Sequence, residues 1–165
     1  MISILFVCHG NICRSPMAEF VLKDITAKKG ISDQFEISSA ATSTEEIWNG
    51  VGNPVYPPAR RELEKHGISC KGKRAIQLQK ADYNYYDYLI GMDRANIRNI
   101  ERITGHSRGK IHMLLEFTNS AKEVADPWYS GNFEETYQDV LVGCNGLIDF
   151  LVANNLLESS GIVGD

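Results

Sequence analysis

Cys8-His9-Gly10-Asn11-Ile12-Cys13-Arg14-Ser15 places a thiol, an arginine and a hydroxyl in one short stretch. The stretch follows an apolar run, Ile2 to Val7, and precedes residues that read as helix. A loop between a strand and a helix turns its backbone N–H groups inward and sits at the positive end of the helix dipole, so it holds anions. Arg14 adds a planar fork that matches two phosphate oxygens. The same field favours the thiolate of Cys8, which is the nucleophilic form. Gly10 and Asn11 tolerate the left-handed backbone angles that so tight a loop uses. Taken singly, a cysteine at a strand end is a small buried hydrophobe and an arginine in a first helical turn is solvated. Together they point to phosphate chemistry.

A thiolate that attacks a phosphate ester needs a proton for the leaving oxygen, then a base to activate water against the phosphocysteine. One carboxylic acid does both in turn. The candidate is Asp126, in Val124-Ala125-Asp126-Pro127-Trp128-Tyr129. Pro127 stiffens that segment, and Trp128 and Tyr129 are placed to flank an aryl group. Asp-Pro is also a common turn starter, and spacing alone does not separate the two roles. His9, next to the nucleophile, is expected on the rim of the pocket, where it tunes the site without serving as base. His66, His106 and His112 have no partner pattern and are expected to be structural or exposed.

These residues need a scaffold, and the chain alternates strand and helix. Strands are expected at Ile2–Val7, Phe35–Ser39, Tyr88–Met92 and Lys110–Leu115. Helices are expected from Met17 to Lys29, with Phe20, Val21, Ile25 and Ala27 available for a buried face and Gly30 as the stop, at Ala59–His66 before Gly67, and at Arg94–Ile103 ending near Gly105. Thr42 to Pro58 and Glu116 to Asn132 read as loops. The last helix is expected from Phe133 to Leu157. Its apolar residues, Tyr137, Val140, Leu141, Cys144, Leu147, Ile148 and Leu151 among them, recur at three- and four-residue steps and form a core stripe. Alternation of this kind implies an α/β fold, a parallel sheet covered by helices on both faces. Ligands bind such sheets outside the carboxyl ends of the strands, where the Cys8 loop falls.

The 165 residues are expected to form a single domain, 1–165. With 43% hydrophobic and 23% charged residues, the composition is that of a soluble globular protein. A net charge of −4 argues against a general nucleic-acid partner, although Lys71, Lys73 and Arg74 cluster. The N-terminal apolar run is too short for a membrane span and lacks a basic leader, so neither a membrane partner nor secretion is expected. Cys8, Cys13, Cys70 and Cys144 do not make a disulfide framework or a zinc pattern, so a cytoplasmic location and no metal are expected.

Four blocks resemble the low-molecular-weight protein tyrosine phosphatase family: Val7 through Pro16, Ser39-Ala40-Ala41-Thr42-Ser43, Met92-Asp93-Arg94-Ala95-Asn96, and Asp126-Pro127-Trp128-Tyr129. They fall in family order and span nearly the whole chain. The resemblance implies a flavodoxin-like, four-stranded parallel sheet and hydrolysis of phosphotyrosine without metal or other cofactor. It implies Cys8 as nucleophile, Arg14 as phosphate-binding arginine and Asp126 as general acid. By position, Ser15 matches the hydroxyl that supports the thiolate, and Asn11 and Ser39 the polar pair that holds the loop. Cys13 matches a second loop cysteine able to form a reversible disulfide with the nucleophile; simple packing under the loop explains it equally. His9, Gly10, Asn11, Ile12, Cys13, Ser15, Trp128 and Tyr129 are the expected substrate-binding set. The partner is a phosphotyrosine-containing protein or a small aryl phosphate, and the chain is expected to be a monomer or weak homodimer. Asp93 resembles a structural family aspartate and also suits a helix N-cap.

Two positions depart from the family. Lys73 stands where the family has a loop-bracing histidine; a lysine has no acceptor, and a solvated side chain is favoured over a different brace. Glu45 stands where an aromatic often walls the site, and Trp48 is the alternative ring or a core residue. Competing activities fit less well. A protein-arginine phosphatase carries threonine where Ile12 stands. A thiol-dependent arsenate reductase needs further cysteines, and Cys70 has no nearby partner. A binding module without chemistry has no use for Asp126.

Overall fold

The computed structural model describes residues 1–157; the rest of the expected single domain, 158–165, lies outside the described residues. The strand that carries Cys8, β1 (Ile2–Cys8), is followed by helix α1 (Arg14–Lys28) and strand β2 (Phe35–Ala41). A two-stranded hairpin, β3 (Ile47–Trp48) and β4 (Val51–Gly52), precedes helices α2 (Pro57–Lys65) and α3 (Asp82–Tyr85). Then come β5 (Tyr88–Gly91), α4 (Arg94–Thr104), β6 (Ile111–Met113), a short α5 (Pro127–Ser130) and α6 (Phe133–Ala153). The main sheet has the order β2-β1-β5-β6 and all its pairings are parallel. This is the expected flavodoxin-like α/β arrangement.

The register of β1 sorts its side chains between two cores. Ile4, Phe6 and Cys8 face α1, α2 and α6, whereas Leu5 and Val7 face Ile97 and Ile100 of α4. Alternation in a strand dictates this split, and each such fully buried aliphatic side chain stabilises the fold by roughly 1.5–3 kcal/mol. On α1 the buried face is Met17, Ala18, Val21, Leu22 and Ile25; Phe20 is partly buried, and Ala27, expected on that face, is exposed. The helix begins three residues before its expected start because Pro16 lies in its first turn, where no backbone N–H is required.

Other differences have local causes. The fourth strand of the sheet is shorter than expected, because Leu114–Thr118 turns into a 3-10 helix. Glu116 fixes that turn by accepting from Met113 N at 3.1 Å and pairing with His112 at 2.8 Å. The last helix stops at Ala153, where Asn155 takes φ 57°, although Leu157 still packs in the core. The β3–β4 hairpin turns on Asn49-Gly50, with φ 51° and 77°; Asn-Gly favours such a turn. At the other strand end, a Cβ on Gly91 would lie 2.9 Å from Asn96 Cβ, so α4 approaches β5 closely there. Among the described residues, no helix is long and apolar enough to cross a membrane.

Candidate active site

At the carboxyl end of β1 the chain turns sharply through residues 9–13 into α1. Asn11 takes φ 58°, the left-handed region expected of it, whereas Gly10 does not and is used for space: a Cβ there would meet Glu46 Cγ at 3.3 Å. Asn11 is buried and its side chain is fully engaged. Its Nδ2 donates to Ser15 Oγ at 2.8 Å and to Ser39 Oγ at 2.9 Å, and its Oδ1 accepts from Ile76 N at 3.1 Å. These bonds hold a backbone shape that is otherwise costly. Among the described residues, the amides from Gly10 to Arg14 donate to no protein acceptor, which suits a loop that cradles an anion.

Cys8 Sγ lies 2.9 Å from Ser15 Oγ, so one hydroxyl supports the sulfur. Arg14 is almost fully buried, and its guanidinium joins three segments: Nη1 donates to Asp93 Oδ2 at 2.8 Å and to Val124 O at 3.2 Å, and Nη2 lies 3.4 Å from Asp126 Oδ2. Burial works against its charge, but Cys8, Asp93 and Asp126 hold its pKa above the ordinary value. Asp93 meanwhile caps α4 in a reciprocal bond pair with Asn96. The two readings of that aspartate are therefore both correct, one for each carboxylate oxygen.

The same division holds at Asp126. Its Oδ1 accepts from Trp128 N at 3.0 Å and starts α5, while Oδ2 faces Arg14. The segment is tied down by Val124 N to Met92 O at 2.9 Å, Ala125 N to Asp139 Oδ2 at 3.1 Å, and Thr136 Oγ1 to Ala125 O at 2.8 Å. A cavity of about 500 Å³ opens between this segment and the loop, lined by Cys8, Arg14, Asp126, Ile12, Trp128 and Tyr129 among others. A second hollow of about 550 Å³, beside residues 67–73, is lined by Cys70 with Arg60, Glu64, Lys71 and Lys73 and has no loop of the Cys8 kind at its base. The residues expected to do chemistry line the first.

Residues 3–157 match the family described as low molecular weight phosphotyrosine protein phosphatase. The chain belongs to that family. It is similar to the low molecular weight protein-tyrosine-phosphatase YfkJ of Bacillus subtilis, 40% identical over 151 residues, which cover 90% of this chain and 94% of YfkJ. The crystal structure of YfkJ superposes with a TM-score of 0.86, covering 93% and 96% of the two chains at 38% identity. That of SP-PTP from Streptococcus pyogenes gives 0.80 at 40% identity, covering 97% and 96%. PtpA of Staphylococcus aureus is 38% identical over 160 residues, 96% of this chain and 99% of PtpA. The phosphatase is thus a phosphoric monoester hydrolase, and the sequence resemblance is correct.

Within this phosphatase, Cys8, His9, Gly10, Ile12, Cys13, Arg14, Asp126, Trp128 and Tyr129 come together around the cavity. Asn11, Ser15 and Ser39 lie beneath the loop and brace it. His9 is on the rim, 3.0 Å from Glu45, with both side chains mostly in solvent. Trp48 is neither core nor cavity wall: it sits 80% exposed on β3. Trp128 is exposed and tilts against Tyr56 at 5.3 Å. The expectation of a solvated Lys73 is overturned. Its side chain is nearly buried, donates to Ser39 O at 2.8 Å and lies 3.6 Å from Glu19 Oε1. Glu19, Glu46 and Tyr56 were missed as contributors. Glu19 had a signal: it lies four residues after Ser15, on the same helix face. The remaining histidines do have partners, since His66 stacks on Tyr137, His106 on Tyr83, and His112 meets Glu116.

Proposed function

We propose that this phosphatase hydrolyses phosphotyrosine monoesters through a phosphocysteine at Cys8. The observation that supports it most is the convergence of Cys8, Arg14 and Asp126 on one cavity. The Cys8 thiolate attacks phosphorus, and the bond from phosphorus to the phenolic oxygen breaks as Asp126 gives that oxygen its proton. Asp126, now a carboxylate, takes a proton from water, which attacks the phosphocysteine and releases phosphate and Cys8. Ser15 supports the sulfur in both steps. Arg14 and the loop amides bind the three phosphoryl oxygens, most tightly when that group is flattened between nucleophile and leaving group. A phosphate that enters competes with Asp126 for Nη2 of Arg14, which frees the Asp126 oxygen to carry the proton. The test is phosphate release from phosphotyrosine by the native and Asp126→Asn proteins, which must differ if Asp126 is the acid. A substrate protein or a small aryl phosphate fits the opening, and four free cysteines suit a reducing compartment such as the cytoplasm.

The rim sets a preference. Trp128 offers a flat face, and stacking a phenyl ring adds roughly 0.5–1.5 kcal/mol beyond burial. Trp128→Ala is therefore expected to lower kcat/KM on phosphotyrosine by about 2- to 10-fold and to leave phosphoserine unchanged. Glu45→Gln is expected to raise kcat/KM on peptides with acidic flanking residues by about two- to fivefold at low salt, with the gain fading as salt is added. An unchanged tyrosine preference in Trp128→Ala overturns the first expectation, and acidic peptides that gain nothing overturn the second.

Oxidation is the other expected control. Peroxide converts the Cys8 thiolate to a sulfenic acid, and attack by Cys13 sulfur then forms a disulfide and expels water. Burial, aided by the charges of Cys8 and Asp126, pushes the Cys13 thiol up to about 12. Cys13 is thus a slow attacking group at neutral pH, and the disulfide is expected to form over a longer time than the initial loss of activity. Dithiothreitol should restore the native enzyme, and Cys13→Ser should recover less after the same exposure. Peptide maps of oxidised protein without a Cys8–Cys13 link leave Cys13 as packing only.

A further inference from the structure

Tyr56 reaches both sides of the cavity. Its N donates to Ile12 O at 2.9 Å, on the side of the phosphate loop. Its ring lies 5.3 Å from that of Trp128, tilted by 53°, on the side of Asp126. The same ring lies 6.1 Å from that of Phe133, the first residue of α6. Tyr56 and Phe133 are partly buried against the core around α1, so they form a fixed base. Trp128 is different: it is 61% exposed and belongs to a helix of only four residues. Its backbone is held, since Trp128 N donates to Asp126 Oδ1. Among the described residues, the one ring its indole meets is that of Tyr56. Without that contact, nothing of comparable size selects a rotamer for a side chain so open to water.

Tyrosine is otherwise a poor choice at this position. Tyr56 is the N-cap of α2, yet its side chain makes no capping bond. Pro57 and Pro58 carry no N–H, which leaves Ala59 N as the amide in reach of a cap. Asparagine, aspartate or serine would take that amide and stabilise the helix. Tyr56 forgoes this bond and in exchange makes the ring contacts with Trp128 and Phe133.

We propose that Tyr56 is a positioning residue for substrate choice: it fixes the indole of Trp128 beside the cavity, so that an aryl ester stacks on a surface already in place. A surface ordered beforehand loses less freedom when the ligand arrives, and the gain goes only to a substrate with a ring to stack. Tyr56 is not among the residues that line the cavity and acts through Trp128. The proposal rests on Trp128 being the wall for the aryl group.

The experiment compares Tyr56→Phe, Tyr56→Asn, Tyr56→Ala, Trp128→Ala and the double variant Tyr56→Asn/Trp128→Ala. It reads Tm, inhibition by inorganic phosphate, and the ratio of kcat/KM on phosphotyrosine and phosphoserine peptides of otherwise identical sequence. Tyr56→Asn and Tyr56→Ala are expected to lower that ratio equally, by about 2- to 10-fold and by no more than Trp128→Ala does. Their Tm values should differ, with Tyr56→Asn the higher, because asparagine caps α2 and alanine does not. Phosphate inhibition, which reads the loop and Arg14, should stay at the native value. Tyr56→Phe keeps the ring and should keep the ratio. The double variant should lose no more than Trp128→Ala alone, since both changes remove one interaction. A ratio that follows Tm, retained in Tyr56→Asn and lost in Tyr56→Ala, would mean that Tyr56 only stabilises α2, and the proposal falls. It falls equally if the two losses multiply in the double variant, or if phosphate inhibition weakens in step with the ratio. Should Tyr56→Ala not fold, Tyr56→Asn and Tyr56→Phe decide on the ratio. A Trp128→Ala protein that keeps the native ratio overturns the wall itself, whatever the Tyr56 variants do.

Discussion

Cys8→Ser is expected to lose turnover by a factor on the order of 10⁴–10⁶, the scale seen when a nucleophile is removed from a coupled site, and still to bind phosphate and vanadate. The two outcomes separate because different atoms serve them. A serine hydroxyl stays protonated where a thiol ionises, so attack on phosphorus stops. The anion cradle is untouched: Arg14 keeps its bonds to Asp93 and Val124 O, and the loop keeps its Asn11 brace. Arg14→Ala should lose both properties, since it removes the fork and also leaves Asp93 and Asp126 without their shared cation. Addition of EDTA should change neither protein, because the phosphoryl charge is met by Arg14 and the amides. Steady-state rates on phosphotyrosine, with phosphate inhibition measured on the same preparations, check all of this. Near-normal rates in Cys8→Ser would falsify the covalent route.

Asp126→Asn is expected to cut kcat/KM on phosphotyrosine by about 10²–10⁴, the range of a general acid. The structure makes this substitution cleaner than usual. Asparagine can still accept from Trp128 N as Oδ1 does, so the start of α5 should survive, while the position of Oδ2 can no longer carry the transferable proton. The loss should shrink on an ester whose leaving group is a weak base, because kcat/KM reports the first chemical step and that step then needs little protonation. Matched aryl phosphates that span a range of phenol acidity provide the measurement. Equal losses across the series would leave Asp126 as a loop cap and nothing more.

The chemistry was legible because it is local. Cys8 through Ser15 carry their meaning in consecutive residues, and strand-to-helix alternation places them without tertiary knowledge. Asp126 could be named but not assigned, since a turn cap and a proton donor use the same residue type; the structure shows the cap at one oxygen and leaves the other facing Arg14 and the cavity. Lys73 was misread because a lysine in a Lys/Arg cluster ordinarily faces water. Its burial depends on Glu19, which lies on a helix distant in sequence, and no local pattern reports that pairing. Trp48 misled in the opposite way: a tryptophan near a site suggests a wall, but the Asn49-Gly50 turn carries it outward into solvent. The early end of the fourth sheet strand had the same origin, a side chain, Glu116, reaching back to the backbone.

The helix that leaves the phosphate loop, α1, packs against α6, 126 residues further along the chain at the contact of Ala18 with Cys144. Ala18 O lies against Cys144 Sγ of α6, and Met17, Val21 and Leu22 share a core with Val140, Leu147 and Leu151. The same α6 ties down the segment that carries Asp126, since its Asp139 and Thr136 both bond Ala125. The thiol and the carboxylate keep their spacing across the cavity because one keel, α6, moors the supports of both.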